Sequence, residues 1–166
     1  MAESFRNFCA GMSVRSSSDL IVIPSGIGGS NEVTRSYPSG WNGSEVRDVN
    51  TCAQIHSIYV SMKSNNKIQG IERYNPANFV AFNLFITSTK DPDYKFYIVY
   101  DGRVCPGAPF FIEKNITLEP HQRLVLNCPS DSVDYDSTNN TTKTLNNVEG
   151  TYIEITASTV LLPTSN

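Results

Sequence analysis

Apolar side chains in this 166-residue chain recur mostly at every second position, in short runs separated by turn residues. In residues 79–88, Val80, Phe82, Leu84 and Ile86 alternate with Phe79, Ala81, Asn83, Phe85 and Thr87. Successive side chains of an extended strand point to opposite faces, so this spacing predicts a strand, the clearest in the chain. Residues 53–62 repeat it, with His56, Ile58, Val60 and Met62 on one face and Ile55, Ser57, Tyr59 and Ser61 on the other. Shorter strands are predicted at 19–23, where Pro24 and three glycines stop the run, and at 94–100, ending at the turn dipeptide Asp101-Gly102. Residues 110–118 form an extended piece, 121–127 a strand bracketed by Pro120 and Pro129, and 151–162 a long closing strand. A further short strand is expected at 131–135, and the polar tract 137–147 is expected to protrude as a hairpin tip.

Two stretches lack this periodicity. Residues 1–18 read as a short N-terminal arm, with Phe5, Phe8 and Met12 spaced for one helical turn or a docking contact. Residues 27–50 are rich in Gly, Ser and Asn and carry Tyr37 and Trp41, which reads as a long loop and a candidate contact surface. The expected organisation is therefore an arm at 1–18 and a single domain at 19–166. That domain is all-β, an antiparallel β-sandwich or jelly-roll-like barrel of about six to eight strands.

Composition supports the class and narrows the partners. Hydrophobic residues make up 39% of the chain, enough for one continuous core, while charged residues are only 17%. A net charge of −3 lacks the basic footprint of a protein that neutralises nucleic-acid phosphates, so no direct nucleic-acid partner is expected. No run is long enough to span a bilayer, and no signal-peptide core is read near the start. No membrane partner is expected. Cys9, Cys52, Cys105 and Cys128 contain no CxxC pair and are expected to be reduced, Cys105 with Cys128 being the pairing worth testing. The sequons starting at Asn42, Asn115, Asn139 and Asn140 are what an Asn-rich and Thr-rich chain produces freely.

Reactive groups are sparse. His56 and His121 are the two histidines available as bases, and neither belongs to an HxH or HExxH pattern. Gly26, Gly28 and Gly29 follow a strand, but the spacing is wrong for a phosphate loop and no Lys-Ser or Lys-Thr follows. The acid groups Asp131, Asp134, Asp136 and Asp91, Asp93 depart from calcium-loop spacing and read as solvated turns that guard strand edges. No catalytic residue, cofactor or metal is assigned, and the chain is not expected to be an enzyme. Aromatic residues carry the remaining signal, because they contribute most when buried against a partner. Phe5, Phe8, Tyr37, Trp41, Tyr59 and Tyr97 are the candidate partner contacts, with Tyr94 and Tyr152 of the same kind. The alternative from another class is a carbohydrate-binding module that stacks host-surface glycans on Trp41 and the tyrosines.

In the order of its strand segments the chain resembles small all-β virion proteins of tailed bacteriophages, especially those infecting cyanobacteria. The matching words are Ile-Pro-Ser-Gly at 23–26, His-Ser-Ile-Tyr-Val-Ser at 56–61, Tyr-Ile-Val-Tyr at 97–100 and Ile-Thr-Leu-Glu-Pro at 116–120. Leu-Val-Leu at 124–126, Ser-Asp-Ser-Val at 130–133 and the last strand through Ala157 and Ser158 complete the series. The chain departs from this pattern at 27–50 and in the Asn-Thr tract before the last strand. The resemblance implies a particle-bound role: cementing or decorating a capsid, or an accessory place in the neck or tail. Its implied partners are the major capsid protein or other virion subunits, with the chain as a homo-oligomer in the virion.

Overall fold

The computed structural model describes residues 3–15, 19–27, 47–64, 78–105, 107–129, 135–137, 140–144 and 150–164. These form eleven strands and no helix: β1 (Ser4–Ser13), β2 (Leu20–Ile23), β3 (Thr51–Ser64), β4 (Asn78–Ser88), β5 (Phe96–Val104), β6 (Phe110–Ile112), β7 (Ile116–Leu118), β8 (Gln122–Asn127), β9 (Tyr135–Ser137), β10 (Asn140–Thr144) and β11 (Thr151–Pro163). They build two sheets. One has the order β1-β11-β3, with β6 and β7 both pairing β3; the other runs β2-β8-β4-β10-β9, with β5 also on β4. Pairing is antiparallel except for β10 on β4. The all-β sandwich expected from period-two alternation is the observed fold.

A single core lies between the sheets. Phe8, Met12, Ile58, Val60 and Ile155 from one sheet and Leu20, Phe82, Leu84 and Leu126 from the other are all buried in it. The rings of Phe82 and Phe110 bridge the layers edge to face, 5.3 Å between centroids. Each fully buried side chain of this size contributes about 1.5–3 kcal/mol, which makes the alternating positions the main source of stability.

The expected N-terminal arm is corrected by the pairing. Ser4 to Ser13 align residue for residue with Leu161 to Tyr152, and the backbone continues as Val14 donates to the carbonyl of Thr151. Phe8, Ala10 and Met12 face the core opposite Ala157, Ile155 and Ile153. The segment reads as irregular in sequence because its outward residues include Cys9 and Gly11, which blur the alternation.

A β-bulge resolves the phase of β3. The register passes from Ser158 opposite Ser57 to Thr159 opposite Ile55, leaving His56 as an extra residue. One inserted residue switches which parity faces inward. Ala53 and Ile55 are buried before the bulge, Ile58 and Val60 after it, and His56 is pushed out to solvent. Sequence alternation placed Ile55 and Ile58 on opposite faces; the bulge puts both in the core.

Asp101-Gly102 likewise lies inside β5 and does not end it. Register shifts against β4 fall between Phe82 and Leu84 and between Leu84 and Phe85, so the bulges sit at Ile98 and near Asp101. Asp101 adopts φ of 52°, a conformation Asp tolerates, and its amide donates to the Asn83 side chain at 2.8 Å. Gly102 is required by close approach: a Cβ there would meet Val99 Cγ1 at 2.5 Å and Phe82 Cζ at 2.9 Å. The piece read as continuous at 110–118 divides into β6 and β7. Of the strand expected at 131–135 only Tyr135 is described, in β9, and Asn140–Thr144 of the polar tract pairs with β9 and β4.

One end of the sandwich is tied together by Arg47, which is 1% exposed. Its guanidinium donates to the carbonyls of Pro24 (3.3 Å), Gln122 (2.9 Å), Glu119 (2.7 Å) and Leu118 (3.4 Å), and to Thr51 through both its carbonyl and its hydroxyl. These acceptors lie at the ends of β2, β3, β7 and β8. Around them Gly26 donates to Pro120 at 2.7 Å, Asn50 to Gly26 at 2.6 Å, and Thr164 to Asn50 at 3.0 Å. The last residues of the expected 27–50 loop therefore anchor both sheets.

Candidate docking surface

β5 and β6 are the elements that position the exposed aromatic residues. β5 lies beside β4 in one sheet and β6 beside β3 in the other, and Phe110 of β6 reaches Phe82 of β4. Between β5 and β6 opens a groove of about 310 Å³, lined by Ile98, Val99, Phe110, Phe111, Ile112 and Ile116, with Glu113 and Lys114 at its rim.

Exposed aromatic side chains stand on the strands of both sheets. On the β6 side Phe111 is exposed and meets the ring of Tyr59 edge to face at 6.2 Å, the two residues being register partners. On the β5 side Tyr97 packs over Phe85 at 5.5 Å and meets Tyr100 perpendicularly at 5.1 Å. Tyr94, Phe96 and Tyr100 are 64%, 58% and 74% exposed.

The outer face of β4 explains why the β5 rings stand clear. Phe79, Ala81, Phe85 and Thr87 point away from the core yet are buried. Lys95 lies over the Phe85 ring at 4.8 Å and Arg103 over Phe79 at 4.4 Å. Lys95 and Arg103 thus cover part of the outer face of β4 by cation–π contact, with Tyr97 beside Lys95 on Phe85.

Of the contacts expected from sequence, Tyr59 and Tyr97 are exposed, on the outer faces of the two sheets. Phe5 is 83% exposed but belongs to β1, at the opposite edge of its sheet from β6. Phe8 is a correction: it is fully buried, facing inward opposite Ala157, so it is a core residue. Tyr37 and Trp41 lie outside the described residues. Phe96, Tyr100 and Phe111 were missed. For Phe111 the signal was present in Phe110-Phe111, where adjacent aromatics on a strand must face opposite ways and only one can enter the core.

No comparable convergence of reactive groups occurs among the described residues. His56 sits on the β3 bulge, whereas His121 precedes β8 in the other sheet and uses its carbonyl to accept the amide of Thr89 at 2.9 Å. No group of three His, Cys, Asp or Glu side chains is placed to hold a metal among the described residues. Asp91 and Asp93 are exposed in the turn before β5, while Asp131 and Asp134 lie outside the described residues. The four cysteines are unbridged. Burial pushes the Cys128 thiol up to about 12 and raises Cys105; burial, with the nearby Glu119 carboxylate, raises Cys52. Thiols shifted this way hold their protons at neutral pH and are weak nucleophiles. No helix among the described residues is long and apolar enough to cross a membrane. Comparison with protein-family models and with curated proteins finds no match to the chain.

Proposed function

We propose that this chain is an accessory structural protein of a virus particle, of the cement or decoration kind, which works by burying surface against neighbouring subunits. The observation that carries the mechanism is the set of exposed aromatic rings on β3, β5 and β6: Tyr59 and Phe111 on one sheet, Phe96, Tyr97 and Tyr100 on the other. These rings are mounted on paired strands, so little conformational entropy opposes docking. The order of strand segments supplies the particle context by its resemblance to tailed-phage virion proteins. A neck or tail position in the same kind of particle would use the same surface, and copy number separates the two.

Mass spectrometry of purified particles tests the reading. Hundreds of copies place the chain on a shell, and on the order of a dozen place it in the neck or tail. Replacing Tyr97 and Phe111 by Ala is expected to lower occupancy sharply while the β-sheet circular dichroism spectrum persists. Absence of the chain from particles would overturn the proposal. A second reading, a carbohydrate-binding module, has the exposed ring of Tyr100 in its favour, since sugars stack on free aromatic faces. Specific glycan-array binding lost in Tyr100→Ala, with no particle association, would select it.

A further inference from the structure

Asn is disfavoured in strands, yet Asn83 sits in the middle of β4 between the buried Phe82 and Leu84. Its side chain has a defined task at the second bulge of β5. Between the register pairs Phe85–Tyr97 and Phe82–Gly102, β4 advances three residues and β5 five, so two residues of β5 must fall outside the ladder. Ile98 is one of them, and Asn83 faces the other at Tyr100-Asp101. Asp101 takes a left-handed backbone there, and its amide donates to Asn83 Oδ1 at 2.8 Å. Asn83 Nδ2 in turn donates to Oδ1 of its register partner Asn127 at 3.1 Å, and Asn127 Nδ2 donates to Asp19 Oδ1 at 3.2 Å. A carboxylate can only accept and a backbone N–H can only donate, so both ends of this run impose the same orientation on the two amides.

The strand is committed on either side of this bulge. Tyr97 packs over Phe85 on the outer face, while further along Arg103 lies outward over Phe79 and Val104 is buried in the core. Strict alternation back from Val104 would turn Tyr100 inward, because adjacent residues of a strand face opposite ways. The bulge instead leaves Tyr100 and Asp101 both exposed. Tyr100 then stands beside Tyr97, the two rings perpendicular at 5.1 Å. From this geometry we infer that Asn83, oriented by Asn127 and Asp19, fixes the second bulge at Tyr100-Asp101 and so points Tyr100 outward beside Tyr97. Asn83 is thus a positioning residue: it acts through Tyr100 and needs no contact with a partner. Its functional use rests on the proposed reading of the exposed β5 rings as a contact surface.

Nuclear magnetic resonance of the full chain tests this, through the exchange rate of the Asp101 amide and the nuclear Overhauser contact between the Tyr97 and Tyr100 rings. In the parent chain the amide is expected to be protected and the contact present. Asn83→Val, whose side chain suits a strand, should speed Asp101 exchange about tenfold and abolish the ring contact, while amides of the core strands keep their protection. Asn83→Asp keeps the acceptor and should preserve both signals. An unprotected Asp101 amide in the parent overturns the inference, as does a folded Asn83→Val chain with Asp101 exchange and ring contact unchanged. Should Asn83→Val not fold, Asn127→Ala frees the Asn83 amide without altering it, and Asp101 exchange no faster there overturns the inference equally. Particle occupancy separates this from the docking reading: a lost ring contact with full occupancy upholds the role of Asn83 and removes Tyr100 from the docking surface.

Discussion

Arg47 makes the strongest case for a single residue setting the architecture. Five backbone carbonyls from four strand ends converge on one guanidinium, whose planar fork of five donors suits such a site. A buried carbonyl deprived of its donor costs about 1–3 kcal/mol. Arg47→Met should therefore lower unfolding free energy by at least about 3 kcal/mol, read from urea midpoints at unchanged m-value. Arg47→Lys should recover only part of the loss, because three donors at one point cannot span the same carbonyls. A variant as stable as the parent would show the contacts to be incidental. Nothing in the sequence marks this arginine: it follows a stretch of Gly, Ser and Asn with no periodicity, and apart from Thr51 its partners are distant in the chain.

At the scale of elements, β1 and β11 close the molecule by pairing the first and last strands. Deleting residues 1–13 would uncover the inward row of β11, Ile153, Ile155 and Ala157, and remove Phe8, Ala10 and Met12 from the core. Loss of three core side chains exceeds the stability margin of many domains, since large-to-small core changes cost about 2–5 kcal/mol each. The truncated chain is expected to lose its cooperative thermal transition and bind a hydrophobic dye, whereas a true arm would leave the transition unchanged. The strands at 79–88 and 151–162 were legible from their alternation, and that at 121–127 from an apolar run bracketed by prolines. β3 was legible as a strand but not in phase, because a bulge leaves no compositional trace.

For the whole molecule, stability at alkaline pH follows from where the thiols end up. An unfolded cysteine ionises near about 8.5, whereas burial holds Cys128 protonated up to about 12 and raises Cys52 and Cys105 in the same direction. Between these values the unfolded chain releases protons that the native state retains, so unfolding becomes more favourable as pH rises. The thiol contribution is complete below about pH 8.5 and lost progressively toward pH 12. Urea midpoints measured from pH 8 to 11 should fall more steeply for the wild-type chain than for Cys128→Ala, and parallel slopes would contradict this. The open side of the sandwich, where β5 and β6 leave rings in solvent, is also a property of the whole. It arises because the two edge strands come from segments adjacent in sequence but placed in different sheets.

By itself the sequence determined that the chain is all-β and where most of its strands run. Those properties follow from period-two burial and residue type, which are local. Tertiary structure alone decided that residues 4–13 are a core strand and Phe8 a core residue, that His56 is the bulged position, and that Arg47 joins both sheets. It also decided which aromatics remain outside. Each of these depends on which strand lies alongside which, and pairing between residues as much as 157 positions apart, such as Ser4 with Leu161, is set by the fit of whole faces and not by any local word.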